Sequence, residues 1–180
     1  FGKKQPTIGI IGGKGKMGML LTHFFEASGH TVLAAGNKAP LSVEKLVEQS
    51  QIVIVSVPIS ETEEVLKKVT PLMQKDSLLT DVTSLKLMPR RMMEESASAT
   101  LGMHPLFGPT VTDLRGQKIV FCRQKDNAYV LYLKDLFEKA GMIVLELTAE
   151  EHDYHMAYVQ GLTHALNLLY AKIIFDQHDA

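Results

Sequence analysis

Apolar positions along the chain keep two periods. Short aliphatic and β-branched runs at Thr7–Ile11, Thr31–Ala35, Ile52–Val57, Ser77–Val82, Thr100–Met103, Lys118–Cys122 and Met142–Leu147 predict strands. Ile52–Val57 reads IVIVSV, a nearly unbroken run of the kind found in a parallel strand covered on both faces. Between these runs the period lengthens to that of a helix. Met17–Ser28 sets Met17, Leu20, Leu21, Phe24 and Phe25 on one face, and Gly29 stops it. Leu41–Gln49 predicts a short helix. Ser60-Glu61-Thr62-Glu63 predicts a capping box opening a helix that runs to about Val69, before Pro71. Lys86–Ser96 predicts another, with Pro89 in its first turn, and Asp126 is placed to cap one that Gly141 ends. Strands alternating with helices predict an α/β fold, a mostly parallel sheet with helices on both faces.

After Leu147 the pattern changes. Thr148-Ala149-Glu150-Glu151 predicts a second capping box, and from there to about Phe175 only Gly161 interrupts one long helix. A helix of this length after a finished sheet predicts two parts: residues 1–147 as one domain, and 148–180 as the start of a helical domain. The apolar face of that helix has no cover within the sequence, so truncation, or a partner that supplies the rest, is the expectation. Phe1-Gly2 likewise reads as a cut edge.

The chemistry begins at the first strand. Gly13-Lys14-Gly15-Lys16-Met17-Gly18 fits G-x-G-x-x-G between a predicted strand and a predicted helix, the context in which this pattern binds a dinucleotide. Gly13 is expected to make the tight turn, Gly15 to let a pyrophosphate approach the backbone, and Gly18 to let the helix pack close to the strand. The fold is therefore expected to be Rossmann-type. The other reading of the loop is an ordinary glycine-rich turn. The second strand ends in Gly36-Asn37-Lys38, without the acid that bonds a ribose 2′-hydroxyl, which tilts the expected cofactor toward NADP over NAD. A solvated turn is the alternative there.

Ligands in such sheets bind beyond the carboxyl ends of the strands, so Val57, Pro58, Ser84 and His104 are expected to line one crevice. A neutral imidazole can take a proton at cellular pH, which makes His104 the candidate base, against a purely structural histidine. Ser84 can bond the same substrate hydroxyl or orient His104; its competing role is N-cap of the helix at Lys86. On the long helix Gln160, His164 and Asn167 are spaced to share a face, which suits either a ligand crevice or solvent. His152 and His155 are spaced for a metal, but no HExxH or cysteine cluster accompanies them, and no metal is expected. Asp153 suits the helix dipole.

Composition narrows the rest. A net charge of −1 without a long basic run argues against nucleic acid, and no apolar run reaches membrane-spanning length. The single cysteine, Cys122, excludes an intrachain disulfide and suits a reducing cytoplasm; in its apolar run it reads as inert packing.

Taken together, GGKGKMG, VSVPI, DVTSLK, LGMHPLFGP and EHDYHMAYVQGLTHAL occur in the order seen in the prephenate/arogenate dehydrogenases of tyrosine biosynthesis, and nearly the whole chain resembles that family. The resemblance implies a Rossmann domain followed by an all-helical dimerisation domain. It also implies oxidative decarboxylation of prephenate to 4-hydroxyphenylpyruvate with hydride transfer to NAD(P). It implies His104 as the base on the ring hydroxyl, Ser84 as its partner, and His164 as a substrate-pocket residue, with Gln160 on the same stripe the candidate beside it. The family's acid after the second strand is replaced by Gly36. The arginine that grips a prephenate carboxylate is expected beyond residue 180, while Lys86, Arg90 and Arg115 are nearby cations without an assigned place. Arogenate as substrate, a pyrroline-carboxylate reductase, a β-hydroxyacid dehydrogenase and a non-catalytic nucleotide-binding module are the competing readings. The β-hydroxyacid enzymes want a lysine near Gly161, where Leu162, Thr163, His164 and Ala165 stand.

Overall fold

The computed structural model describes residues 5–36, 39–123 and 127–178. Asn37, Lys38 and Asp126 lie outside the described residues. Seven strands, β1 (Ile8–Ile11), β2 (Val32–Ala35), β3 (Ile52–Val55), β4 (Leu78–Asp81), β5 (Ala99–Pro105), β6 (Lys118–Arg123) and β7 (Ile143–Glu146), form one sheet in the order β2-β1-β3-β4-β5-β6-β7. All neighbours are parallel except β5 and β6, which pair antiparallel with His104 opposite Val120. Helices α1 (Lys16–Ala27), α2 (Val43–Gln49), α3 (Ile59–Val69), α4 (Leu87–Met93) and α5 (Ala128–Lys139) fill the connections.

Strand period 2 sorts the core into two layers. Ile8, Ile10, Ile52, Ile54, Leu101 and Met103 pack with Leu21 and Phe25 of α1 and with Val130, Leu133 and Phe137 of α5. The alternate residues, among them Ile11, Val53, Val55 and Leu79, pack with Leu46 of α2, Leu66 of α3 and Met93 of α4 on the other face. Both faces of β1, β3 and β4 are buried, which is why IVIV carries no polar alternation.

Several local expectations change. Ser60 does not cap α3, because Pro58, with φ −52°, is the N-cap and Ile59 already opens the helix. Leu41 does not open α2; it bridges to Ala35, and Ser42 caps the helix by accepting from the Lys45 N–H. Asn127 caps α5, accepting from the Tyr129 N–H at 2.8 Å. The second capping box forms as expected, with Thr148 and Glu151 each bonding the other's backbone N–H.

The long helix is three pieces: α6 (Ala149–Met156), a π turn (Ala157–Leu162) around Gly161, and α7 (Thr163–His178). Ala149, His152 and Met156 are buried and α6 packs on α4 and β6, so the first two turns of this helix belong to the sheet's own packing. From Gly161 through Tyr170 every residue is exposed, including Leu166, Leu168, Leu169 and Tyr170.

The glycine loop is tighter than the pattern requires. The positive φ falls on Gly12 (84°), one residue before the predicted turn, and a Cβ there would lie 2.3 Å from the Ser56 carbonyl oxygen. A Cβ on Gly18 would lie 2.3 Å from the Gly12 carbonyl oxygen. Gly18→Ala therefore overpacks backbone against backbone. A loss of about 1–3 kcal/mol in urea unfolding is expected, with weakened dinucleotide affinity by equilibrium titration.

Candidate active site

The order β2-β1-β3 makes the carboxyl ends of β1 and β3 the switch point of the sheet, where open α/β sheets bind their ligands. A cavity of about 650 Å³ lies there, lined by Gly12, Lys14, Gly15 and Gly36 on one side and Ser56, Val57 and Pro58 on the other. A second, of about 350 Å³, shares Gly15, Ser56, Val57 and Pro58 and continues past Lys16, Met17 and Ser84 to His104 and Pro105. The two make one cleft along the strand ends. Gly13 stands in the turn itself, with a Cβ there only 2.9 Å from Ala34 Cβ.

This cleft fits a dinucleotide. The α1 N-cap, Gly15, makes no side-chain cap, so the first N–H groups of the helix face the cleft without an intrahelical acceptor. No acid stands at the end of β2. Gly36 holds φ 129°, in the range that favours glycine, and crosses over the Gly12 N–H.

His104 is not in a loop after β5 but is the penultimate residue of the strand, 5% exposed. Its Nδ1 lies 2.8 Å from His152 Nε2, and His152 Nδ1 lies 2.8 Å from Asp153 Oδ1. The network assigns the protons. A carboxylate only accepts, so His152 Nδ1 carries the hydrogen and its Nε2 a lone pair. His104 then donates from Nδ1, and its Nε2 is left basic. The Gln160 amide donates to that Nε2 from 3.4 Å.

Charges around the ring keep it neutral. Burial, then His152 and the Lys86 ammonium, push His104 from 6.5 down to about 4, against the opposing pull of Asp153. Burial also lowers His152, although Asp153 works the other way. Burial acts to raise the Asp153 carboxyl, but the N–H groups of Leu87 and Lys86 and the His152 ring outweigh it and hold it below its ordinary value. Asp153 is thus more than a dipole partner. It accepts from the Lys86 N–H at 2.8 Å and the Leu87 N–H at 3.0 Å, capping α4 from another helix. That removes the N-cap role considered for Ser84, which is exposed in the cleft and makes no hydrogen bond to His104 among the described residues.

Lys86 is fully buried, as is Asp81. Its ammonium donates to Asp81 Oδ2 at 2.5 Å and to the Met103 carbonyl at 2.8 Å, directly beneath His104. Thr83 donates to the same carboxylate through its N–H and hydroxyl. Lys86 is therefore no substrate cation. Arg90 is taken up by Glu150 and Glu94, and Arg115 pairs with Asp113. Burial pushes the Cys122 thiol up to about 12, which keeps it protonated and inert.

Of the predicted helix stripe only Gln160 reaches the site. The π turn breaks the i, i+4 register, and His164 and Asn167 are exposed on α7, outside the lining of the cleft. His152 and His155 do not act as a metal pair, since His152 is buried against His104 while His155 is exposed; no metal-binding cluster occurs among the described residues. No helix of the described residues is long and apolar enough to cross a membrane. His152 and the Lys86–Asp81 pair were missed in the sequence. The E-H-D triplet was a signal for the first; the second joins residues whose pairing only the turn after β4 reveals.

Comparison with known proteins places this geometry. Residues 26–146 match the family described as prephenate dehydrogenase, nucleotide-binding domain. The chain is 35% identical over 176 residues to the T-protein of Enterobacter agglomerans, covering 97% of this chain and 46% of that one. It is 32% identical to a probable arogenate/prephenate dehydrogenase of Methanocaldococcus jannaschii, covering 88% of this chain and 40% of the other. The chain thus spans less than half the length of these curated relatives. The fold resembles the crystal structure of prephenate dehydrogenase from A. aeolicus in complex with hydroxyphenyl propionate and NAD+, with a TM-score of 0.82, 20% identity and coverage of 98% of this chain and 71% of that one.

Two outcomes test the electrostatics. Lys86→Met strands the buried Asp81 carboxylate, so a loss of about 3–5 kcal/mol is expected, largely recovered in Asp81→Leu/Lys86→Met. Because the folded protein holds His104 near 4 and the unfolded chain titrates near 6.5, the unfolded state binds more protons between those values. Stability should therefore fall as pH drops from 6.5 toward 4, with a shallower fall in His104→Asn, measured by thermal melts across that window.

Proposed function

The chain belongs to the prephenate dehydrogenase family through its nucleotide-binding domain, and on that premise we propose that it carries the dinucleotide site and the base of an NAD(P)-dependent oxidative decarboxylation of prephenate to 4-hydroxyphenylpyruvate. The observation that supports this most is the basic Nε2 of His104, fixed by the tautomer chain and lining the cleft that begins at the glycine loop.

The bound nicotinamide supplies the hydride acceptor. The protein's part is to bind, orient and take one proton. Lys14, Lys16 and the N–H groups from Lys16 to Gly18 hold the pyrophosphate; Val57 and Pro58 wall the cleft between its two cavities. Ser84 and His104 lie together at the far end, where a ring hydroxyl donates to His104 Nε2 in place of the Gln160 amide. Loss of hydride from the carbinol carbon builds positive charge, and proton transfer to Nε2 turns it into a carbonyl. Loss of the ring carboxylate as carbon dioxide then restores aromaticity, and the resulting phenoxide takes the proton back from His104 Nε2. The carboxylate contacts belong to the helical part, which also carries His164 as a substrate-pocket residue.

Arogenate is the second candidate substrate, since the relative from Methanocaldococcus jannaschii carries both names. Lys38 and Asn37, with Gly36 in place of an acid, favour a 2′-phosphate and hence NADP, and NAD is the alternative. The exposed Leu166, Leu169, Tyr170 and Ile173 of α7 support a homodimer formed through the helical part. A single, buried, reduced cysteine supports a cytoplasmic setting.

Absorbance at the reduced-nicotinamide band, with prephenate or arogenate and each nucleotide in turn, tests reaction, substrate and cofactor together. In the intact enzyme His104→Asn should lower kcat by about 10²–10⁴ while dinucleotide binding persists; an unchanged kcat removes the base assignment.

A further inference from the structure

Both ring nitrogens of His104 are engaged, and only one faces the cleft. The other donates to a second, fully buried imidazole that is itself anchored on a carboxylate. We propose that His152 and Asp153 are positioning residues that hold the charge of the proton His104 removes from substrate, on His152 beside Asp153, until loss of carbon dioxide leaves a phenoxide that takes a proton back. This rests on His104 being the base.

The surroundings of His104 favour that transfer. A charge left on His104 would sit buried, near the Lys86 ammonium beneath Met103. Moved one hydrogen bond away, it lies 2.8 Å from the Asp153 carboxylate. Among the described residues His104 hydrogen-bonds His152 and the Gln160 amide, and of these two only the imidazole can accept a proton. Lys86 is a cation. Cys122 on β6 keeps its own proton. Asp81 on β4 is engaged by Lys86 and Thr83, and Glu150 on α6 is held by Arg90. Water has no direct way in, since His104 is 5% exposed and His152 0%. The cleft side, where Gln160 now sits, is filled by substrate during the reaction.

The steps balance. The substrate O–H bond breaks, its electron pair becomes the carbonyl bond as hydride departs, and Nε2–H forms on His104. The His104 Nδ1–H breaks as Nε2–H forms on His152, leaving His104 neutral and His152 an imidazolium paired with Asp153. As carbon dioxide leaves, its bonding electrons restore the aromatic ring and the carbonyl oxygen becomes a phenoxide that takes the Nε2 proton, while His152 returns its proton to His104 Nδ1. The proton taken from the ring hydroxyl thus ends on the product hydroxyl, and none is released.

The test uses the intact enzyme. In His152→Gln the amide can still accept from His104 Nδ1 and donate to Asp153, so the ring stays oriented but no proton can be stored. We expect kcat to fall by about 10²-fold with KM and dinucleotide affinity little changed. His152→Ala should regain turnover with added imidazoles in proportion to their basicity. Full kcat in His152→Gln, or rescue of His152→Ala that ignores basicity and follows size alone, overturns the proposal. His104→Asn is the control. If it abolishes turnover while His152→Gln does not, only the store fails; if it leaves turnover intact, the base reading fails first.

Discussion

Three N–H groups converge on the carboxylate of Asp153: the backbone amides of Lys86 and Leu87, and the His152 ring. Each comes from a different requirement of the fold. The α4 helix is short and brings no capping side chain of its own. The α6 helix must be set against α4 and β6 before its exposed continuation begins. His104, at the end of β5, must point one nitrogen into the cleft. One carboxylate meets all three, so the loop that carries Ser84, the strand that carries His104 and the helix that leads to Gln160 are fixed relative to one another. An ordinary N-cap such as Ser or Thr would satisfy α4 alone.

The Lys86–Asp81 pair sits one layer deeper and sets the electrostatics of that arrangement. A buried ion pair is a poor source of stability, because desolvation of two ions offsets much of their attraction. Its effect here is positional. The ammonium also holds the Met103 carbonyl, the residue before His104, and its stem fills the space a side chain on Gly102 would need, since a Cβ there would lie 2.9 Å from Lys86 Cδ. It therefore fixes the backbone on which His104 is mounted and, at the same time, opposes a charge on its ring. Desolvation and the cation act in one direction and Asp153 in the other, and the first two win at the ring of His104.

The sheet was legible because both its faces are buried: Ile52–Val55 could hardly be anything but a central strand, and each predicted strand appears within a residue or two of its expected bounds, apart from the longer carboxyl end of β5. Helix starts were legible only where the cap had no competitor. Thr148 and Glu151 form their box, whereas Ser60 lost its place to Pro58, whose fixed φ suits an N-cap and starts the helix earlier. Gly13 was expected at the turn that Gly12 makes, because a run of adjacent glycines leaves the register of the pattern open. In the site, Ser84, Val57, Pro58 and His104 fall on one cleft by the rule that ligands lie beyond strand ends. His152 escaped because spacing along a helix says which residues share a face, not which of them a strand some fifty residues away will meet.

The π turn explains why the helix could not be read as one unit, and it divides the labour of the site. His104 stands on a strand, and Ser84 and the glycine loop lie just past strand ends, so strand register sets the spacing between the proposed base and the glycine loop. Gln160 stands on a turn whose wider i→i+5 winding surrounds Gly161, where an added Cβ would meet nothing within 4 Å. Its contact of 3.4 Å with His104 Nε2 is long for a hydrogen bond, as suits a partner that, on the proposed reaction, gives way to a substrate hydroxyl. The glycine loop and His104 are thus held by the sheet, while Gln160, the cleft-side partner of His104, stands on the element the chain builds least regularly.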